Sequence, residues 1–213
     1  MSTLVAELKT RHPQPPQAQS HQTISRQAHR AEPYDPPLTH KRMSWEEYLA
    51  LPPQPKAEWI NGEAIIMMAP ARIVHNEVAD NIFFILRLKL RNVSVNRETG
   101  FRVADGGRVP DVIVTSQRPT DDIWVTTPPL IVVEVLSKST REQDLVTKSA
   151  EYAKAGAEQY WLADPDAKWL EVRENNKGSW QTIATLNQLN QRAPVAIPNH
   201  GTIELEFNEV FNS

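Results

Sequence analysis

Three patterns of apolar positions run through this chain, and each predicts a different kind of element. The first is helical. From His75 to about Arg91, Val78, Ile82, Ile85 and Leu86 recur on one face, while Asp80, Arg87 and Lys89 fall elsewhere. The second is a pair of short runs on either side of Asn61-Gly62, a strong hairpin signal. Ala57 to Ile60 and Glu63 to Ala69 are therefore predicted as two antiparallel strands, with Pro70 closing the second. The third is the fully apolar run. Asp111-Val-Ile-Val-Thr115 follows Pro110, at a strand start where a missing N–H is tolerated. Leu130-Ile-Val-Val-Glu-Val-Leu136 is apolar on both faces apart from Glu134, which predicts a central strand covered on both sides.

Punctuation between these runs supplies the remaining elements. Ser44-Trp-Glu-Glu47 has the spacing of a capping box, so a short helix runs from Trp45 to about Ala50 before Pro52, Pro53 and Pro55 stop it. A strand-like stretch spans Val93 to Val103, and Asp105-Gly106-Gly107 reads as a turn. Ser116 to Pro129 is a polar, proline-marked loop. Ser139-Thr-Arg-Glu142 is a second capping box, opening a helix to about Ala155 with Gly156 past its end. Gln159 to Ala163 is a strand, Lys168–Arg173 and Trp180–Leu186 form a hairpin, and Thr202 to Phe211 holds a short strand and a turn. Helix, hairpin, helix, strands, helix, strands describe an α/β fold: a mixed β-sheet flanked by helices, over about 170 residues from 41 to 213.

Residues 1–40 break every pattern. Pro13, Pro15, Pro16, Pro33, Pro36 and Pro37 alternate with Gln, Ser and His, so this stretch reads as a disordered N-terminal tail. It holds many of the 17 prolines and helps explain a hydrophobic content of only 40% in 213 residues. A net charge of -3 gives no overall attraction to a polyanion, so a nucleic-acid role needs a local cationic patch or a metal. Cysteine is absent, which removes disulfides and thiolate chemistry. No apolar run reaches the length of about 18 residues that spans a bilayer. No membrane partner and a cytoplasmic location are the expectation.

Glu134 is the anomaly in its run. An ionised carboxylate buried without a partner costs several kcal/mol or more, so Glu134 needs a cation, a metal or a proton. Asp111 stands in a similar position on another predicted strand. Adjacent strands lie about 4.8 Å apart, so the two acids can share one ion. Mg²⁺ (or Mn²⁺) suits them, since such a cation takes one or two carboxylates and leaves sites for water and phosphate. Asp144, Lys148 and Tyr152 follow at i, i+4 and i+8, on one face of the helix after the Glu134 strand. Lys148 can therefore reach the acids, to orient or deprotonate a water or to balance charge. Each residue has a plainer reading. Pro-Asp makes turns, lysines on helices are usually solvated, and Glu134 can pair with Arg102 or Arg108.

From Met43 to about Phe211 the chain resembles the Uma-type restriction endonucleases of the PD-(D/E)XK nuclease superfamily. The resemblance rests on Met43-Ser-Trp-Glu-Glu-Tyr-Leu49, Glu58-Trp-Ile-Asn-Gly-Glu63, Val109-Pro-Asp111, Val133-Glu-Val-Leu-Ser137, Ser139-Thr-Arg141, Asp144-Leu145, Lys148, Tyr152, Gly156 and Tyr160-Trp-Leu-Ala-Asp-Pro165. It implies a restriction-endonuclease-like fold and metal-dependent hydrolysis of DNA. Asp111 and Glu134 match the two acids of the motif and would be both catalytic residues and metal ligands. Where the superfamily usually has a lysine two residues after the second acid, this chain has Leu136. Lys148 on the following helix stands in for it. Glu58 and His75 match accessory positions, although Glu58 also reads as an edge-strand charge and His75 as a helix-start residue bonded to backbone. Single-domain nucleases of this kind often dimerise to cut both strands, so a homodimer is a candidate assembly by analogy. The alternative is a catalytically inactive nucleic-acid-binding or scaffold protein that keeps the fold.

Overall fold

A computed structural model describes residues 38–68, 71–104, 106–121 and 123–211. Most of the tail read from the sequence lies outside these residues. Its last three positions do not: they belong to strand β1 (Leu38–Arg42), which pairs antiparallel with β3. Helix α1 (Trp45–Leu49) starts at the expected capping box. The Ser44 side chain accepts from the Glu47 N–H, and the Glu47 carboxylate accepts from the Ser44 N–H at 2.7 Å. The expected hairpin follows as β2 (Ala57–Ile60) and β3 (Glu63–Met67). Asn61 and Gly62 both have positive φ, 52° and 83°, as the tight hairpin turn requires.

Helix α2 (Ile73–Lys89) begins two residues before the expected start and buries Val78, Ala79, Ile82, Ile85 and Leu86. The single strand read over 93–103 is two, β4 (Ser94–Arg97) and β5 (Gly100–Val103), separated by Glu98 at positive φ. The two belong to different sheets. Gly106 and Gly107, expected in a turn, lie in strand β6 (Gly106–Arg108). A Cβ on Gly107 would stand 2.3 Å from the Trp124 ring, and one on Gly106 would stand 2.4 Å from the Trp59 carbonyl oxygen. Close approach, and not turn geometry, is what these glycines provide. The loop over 116–129 contains a two-residue strand, β8 (Trp124–Val125), after β7 (Val112–Thr115).

Strand β9 (Ile131–Val135) is buried along its whole length, as expected for a central strand. It runs antiparallel to β7 and parallel to β10 (Gln159–Asp164). Parallel neighbours require a crossover. Here that crossover is a π-helical segment, Gln143–Lys148, continuing into helix α3 (Ser149–Lys154). The expected hairpin appears as β11 (Trp169–Asn176) and β12 (Ser179–Leu186). A ribbon of β13 (Arg192–Ile197) and β14 (Gly201–Glu206), then helix α4 (Phe207–Phe211), ends the described chain.

Two six-stranded sheets result, β1-β3-β2-β6-β5-β8 and β12-β11-β10-β9-β7-β4, both mixed. Alternation in β7 and β9 sorts the second sheet's core. Val112, Val114, Ile131, Val133 and Val135 pack with α2, α4 and the ribbon. Ile113, Val132 and Leu136 face the other way, with Tyr152 of α3 and Phe101 and Val103 of the first sheet. Among the described residues no helix is long and apolar enough to cross a membrane.

Candidate active site

Register explains why two acids distant in sequence meet. In the β7–β9 ladder Val112 is opposite Val133 and Ile113 is opposite Val132. One step beyond the end of β7 the same register brings Asp111 opposite Glu134. By alternation both point to the face covered by α3, and both line a cleft of about 390 Å³. Asp111 is fixed from three sides. Its Oδ2 accepts from the Val135 N–H at 2.8 Å, Lys56 Nζ stands 3.2 Å from Oδ1, and His75 Nε2 stands 3.4 Å from Oδ2.

Glu134 has the cation that its burial demands, and that cation is Lys148. The Lys148 amine donates to Glu134 Oε1 at 3.1 Å, and the Tyr152 hydroxyl donates to the same oxygen at 2.7 Å. The two arginines considered as partners go elsewhere. Arg108 pairs with Glu58 at 3.1 Å and with Glu151 at 2.7 Å, and Arg102 lies over the Trp45 ring at 4.1 Å. Lys148 also stands 3.1 Å from Glu58 Oε1 and 3.0 Å from Asp144 Oδ1, so one buried ammonium serves three carboxylates. Glu58 is not an edge charge. Strand β2 lies inside its sheet, Glu58 is fully buried, and its Oε1 also accepts from the Val109 N–H at 3.0 Å. Among the described residues the His75 ring makes no bond to backbone: Nε2 faces Asp111, and buried Nδ1 has no hydrogen-bond partner.

These surroundings set the protonation states. Burial opposes the Lys148 charge, but Asp144, Glu134 and Glu58 outweigh it and hold the amine well above its ordinary pKa. The three carboxylates thus favour the charged form of the Lys148 amine. Burial pushes Glu134 up to about 8 despite Lys148, helped by the charges of Asp144, Asp111 and Glu58. Asp111 goes the other way. Burial would raise it, but Lys56, His75 and the Val135 N–H hold it well below the usual carboxylate range. Burial would lower His75, and the Asp111 charge raises it instead. One carboxyl that stays ionised beside one that protonates readily is the outcome of unequal numbers of cations around two neighbouring acids.

Among the described residues no three His, Asp or Glu side chains come together in metal-holding geometry. The donors present nonetheless fit a hard divalent cation. Two carboxylates facing a cleft are the share such an ion takes from a protein, and both hydrogen bonds to Glu134 fall on Oε1, so Oε2 keeps acceptor capacity. The structure therefore brings Asp111, Glu134, Lys148, Glu58 and His75 into one site. It adds Lys56, which sequence reasoning did not find because an isolated lysine after Pro52, Pro53 and Pro55 carries no periodic signal. It also adds Asp144 and Tyr152, whose shared helix face was legible although their contacts were not.

The family model described as "Uma2: Putative restriction endonuclease" matches residues 45–206. Among solved structures the fold matches that of "a putative nuclease belonging to DUF820" from Anabaena variabilis. The TM-score is 0.63 at 21% identity, over 78% of this chain and 96% of that one. No curated protein matches the sequence.

Proposed function

The chain belongs to the Uma2 family, and on that premise we propose that it is a metal-dependent endonuclease that hydrolyses DNA phosphodiester bonds. The observation that carries the proposal is the placement of Asp111 opposite Glu134 on the floor of the cleft, with amines beside each. Asp111 and Glu134 would hold Mg²⁺ or Mn²⁺. Such an ion, when bound, polarises a phosphoryl oxygen and makes its bound water more acidic. The remaining residues prepare the two acids. The Val135 N–H and His75 orient Asp111, while Tyr152 and Lys148 orient Glu134. Asp144 and Glu58 hold the Lys148 amine in place and keep it charged. Cutting both strands of a duplex would take two copies of the chain, or two successive binding events.

A second reading is favoured by one feature. Both acids already have internal cations, as in a fold that has given up its metal and serves as a nucleic-acid-binding or scaffold protein. Supercoiled plasmid and single-stranded DNA, incubated with the full chain and Mg²⁺ or Mn²⁺, separate the two. We expect nicking that disappears in Glu134→Ala. Nicking unaffected by that change would place the activity elsewhere, and no nicking by a folded protein that binds no metal would favour the second reading.

A further inference from the structure

Two lysines reach the acid pair, and their surroundings differ in a way that decides which can touch substrate. An ammonium has three N–H donors. Around Lys148 Nζ stand three carboxylate oxygens within 3.1 Å, from Glu58, Glu134 and Asp144, and the residue is 2% exposed. Glu134 accepts its hydrogen bond, and Glu58 and Asp144 add ion-pair contacts, so three carboxylates from inside the protein crowd the amine. An incoming phosphate would add a fourth anion around an amine that solvent hardly reaches.

Lys56 is differently placed. Among the described residues its amine makes one hydrogen bond, to Asp111 Oδ1 at 3.2 Å, and the nearest other carboxylate oxygen, on Glu98, is 4.0 Å away. Its side chain is 21% exposed, and it lines the cleft with Asp111, Glu134 and His75. Two N–H donors therefore remain for a ligand there. The backbone of Lys56 is held in turn: its carbonyl accepts from the Met67 N–H at 2.9 Å, which ties the residue to the end of β3. The lysine is thus both anchored and open to solvent on its cleft side.

We propose that Lys56, and not Lys148, is the lysine that contacts the substrate phosphate in this cleft. It donates to a phosphate oxygen of the DNA backbone while keeping one N–H on Asp111. Lys148 also lines the cleft, but its buried amine holds Glu58, Glu134 and Asp144 together. The division answers a departure already visible in the sequence. Leu136 stands where a lysine is usual in the superfamily, and a helix-borne Lys148 supplies the charge but not the exposed donor. The segment before β2 supplies the donor. This inference rests on the nuclease reading and assigns one of its roles to a new residue.

The test avoids turnover. Binding of a short fluorescein-labelled DNA duplex to the full chain in EDTA is followed by anisotropy across a salt series. Each phosphate contact contributes roughly 0.9 to the slope of log K against log salt. Lys56→Gln should lower that slope by about one contact and weaken binding several-fold, and Lys56→Arg should restore the slope. Lys148→Met, where it folds, should keep the wild-type slope. Acetylation of the unaltered protein with and without duplex is a second measurement that needs no variant. Lys56 should be modified in the free protein and protected in the complex. A wild-type slope in Lys56→Gln, or acetylation of Lys56 undiminished by saturating duplex, overturns the proposal while leaving the nuclease reading intact. Failure of the unaltered chain to bind DNA at any salt concentration, both in EDTA and with divalent metal present, removes the reading and the proposal together.

Discussion

At the scale of single residues, the site is a problem of charge kept out of water. Glu134 carries the clearest consequence. Its carboxyl is pushed up to about 8 from 4.5, so between those values the folded protein binds a proton that the unfolded chain does not. Stability must then fall as pH rises through that window. His75 acts in the same direction. Its raised pKa gives a contribution that is complete below the ordinary value of 6.5 and is lost as pH climbs through the folded value. Asp111, held low, contributes stability that is present above the ordinary aspartate range and lost only on acidification. The metal-free protein should accordingly melt at progressively lower temperature from about pH 5 to pH 9. Glu134→Gln should flatten that fall between about pH 5 and pH 8. A melting temperature that rises over the same range would contradict the burial of this acid. Lys148 gives the complementary prediction. Lys148→Met leaves Glu58, Asp144 and Glu134 without their shared cation. Breaking a buried pair in this way costs roughly 3–5 kcal/mol, measurable by urea unfolding, and adding Asp144→Asn should recover part of the loss.

Secondary-structure elements show which parts of this arrangement the sequence could disclose. Runs buried on both faces were legible: Ile131–Val135 and Val112–Thr115 have no polar alternation to confuse the reading. Hairpin and helix starts were legible where local chemistry fixes them, at Asn61-Gly62 and at Ser44 with Glu47. Elements stabilised by distant partners were not. Strand β1 has one apolar residue in five and exists because β3 offers it an edge. Strand β13 alternates exposed and buried positions cleanly, but Pro194 disguises it. The π-helical turn before α3 leaves no mark in a pattern that reads equally well at 3.6 residues per turn. Strand β6 is the sharpest case, since two consecutive glycines signal a turn locally and are required globally by the Trp124 ring and the Trp59 carbonyl. Gly107→Ala should force that ring out of its packing with Trp45 and Tyr48 and cost about 1–3 kcal/mol, the range for overpacking. Because β6 carries Arg108, which pairs with Glu58, the same change should loosen the acid cluster. An unchanged melting temperature in Gly107→Ala would show that the aromatic cluster yields at no cost.

For the molecule as a whole, the site joins the two sheets. Glu58 and Arg108 come from the first, Asp111 and Glu134 from the second, and Lys148 and Tyr152 from the crossover between two strands of the second. Ion binding at the acid pair should therefore be felt as stability of the entire described fold and not of one loop. A ligand that binds only the native state raises stability by RT ln(1 + [L]/Kd), about 2.7 kcal/mol at a hundredfold excess over Kd. Two features of the site set how that gain varies with pH. Ligation needs Glu134 without its proton, and that proton leaves at about pH 8 in the metal-free protein. The cation must also share Asp111 with Lys56 and His75, and a charged His75 resists it more than a neutral one. Both effects weaken binding on the acid side. Millimolar Mn²⁺ should then raise the melting temperature more at pH 8.5 than at pH 6.5, the reverse of the trend for the metal-free protein. The increment should vanish in Glu134→Gln. An equal increment at both pH values would mean that the ion binds without displacing the Glu134 proton, and so not between these two acids.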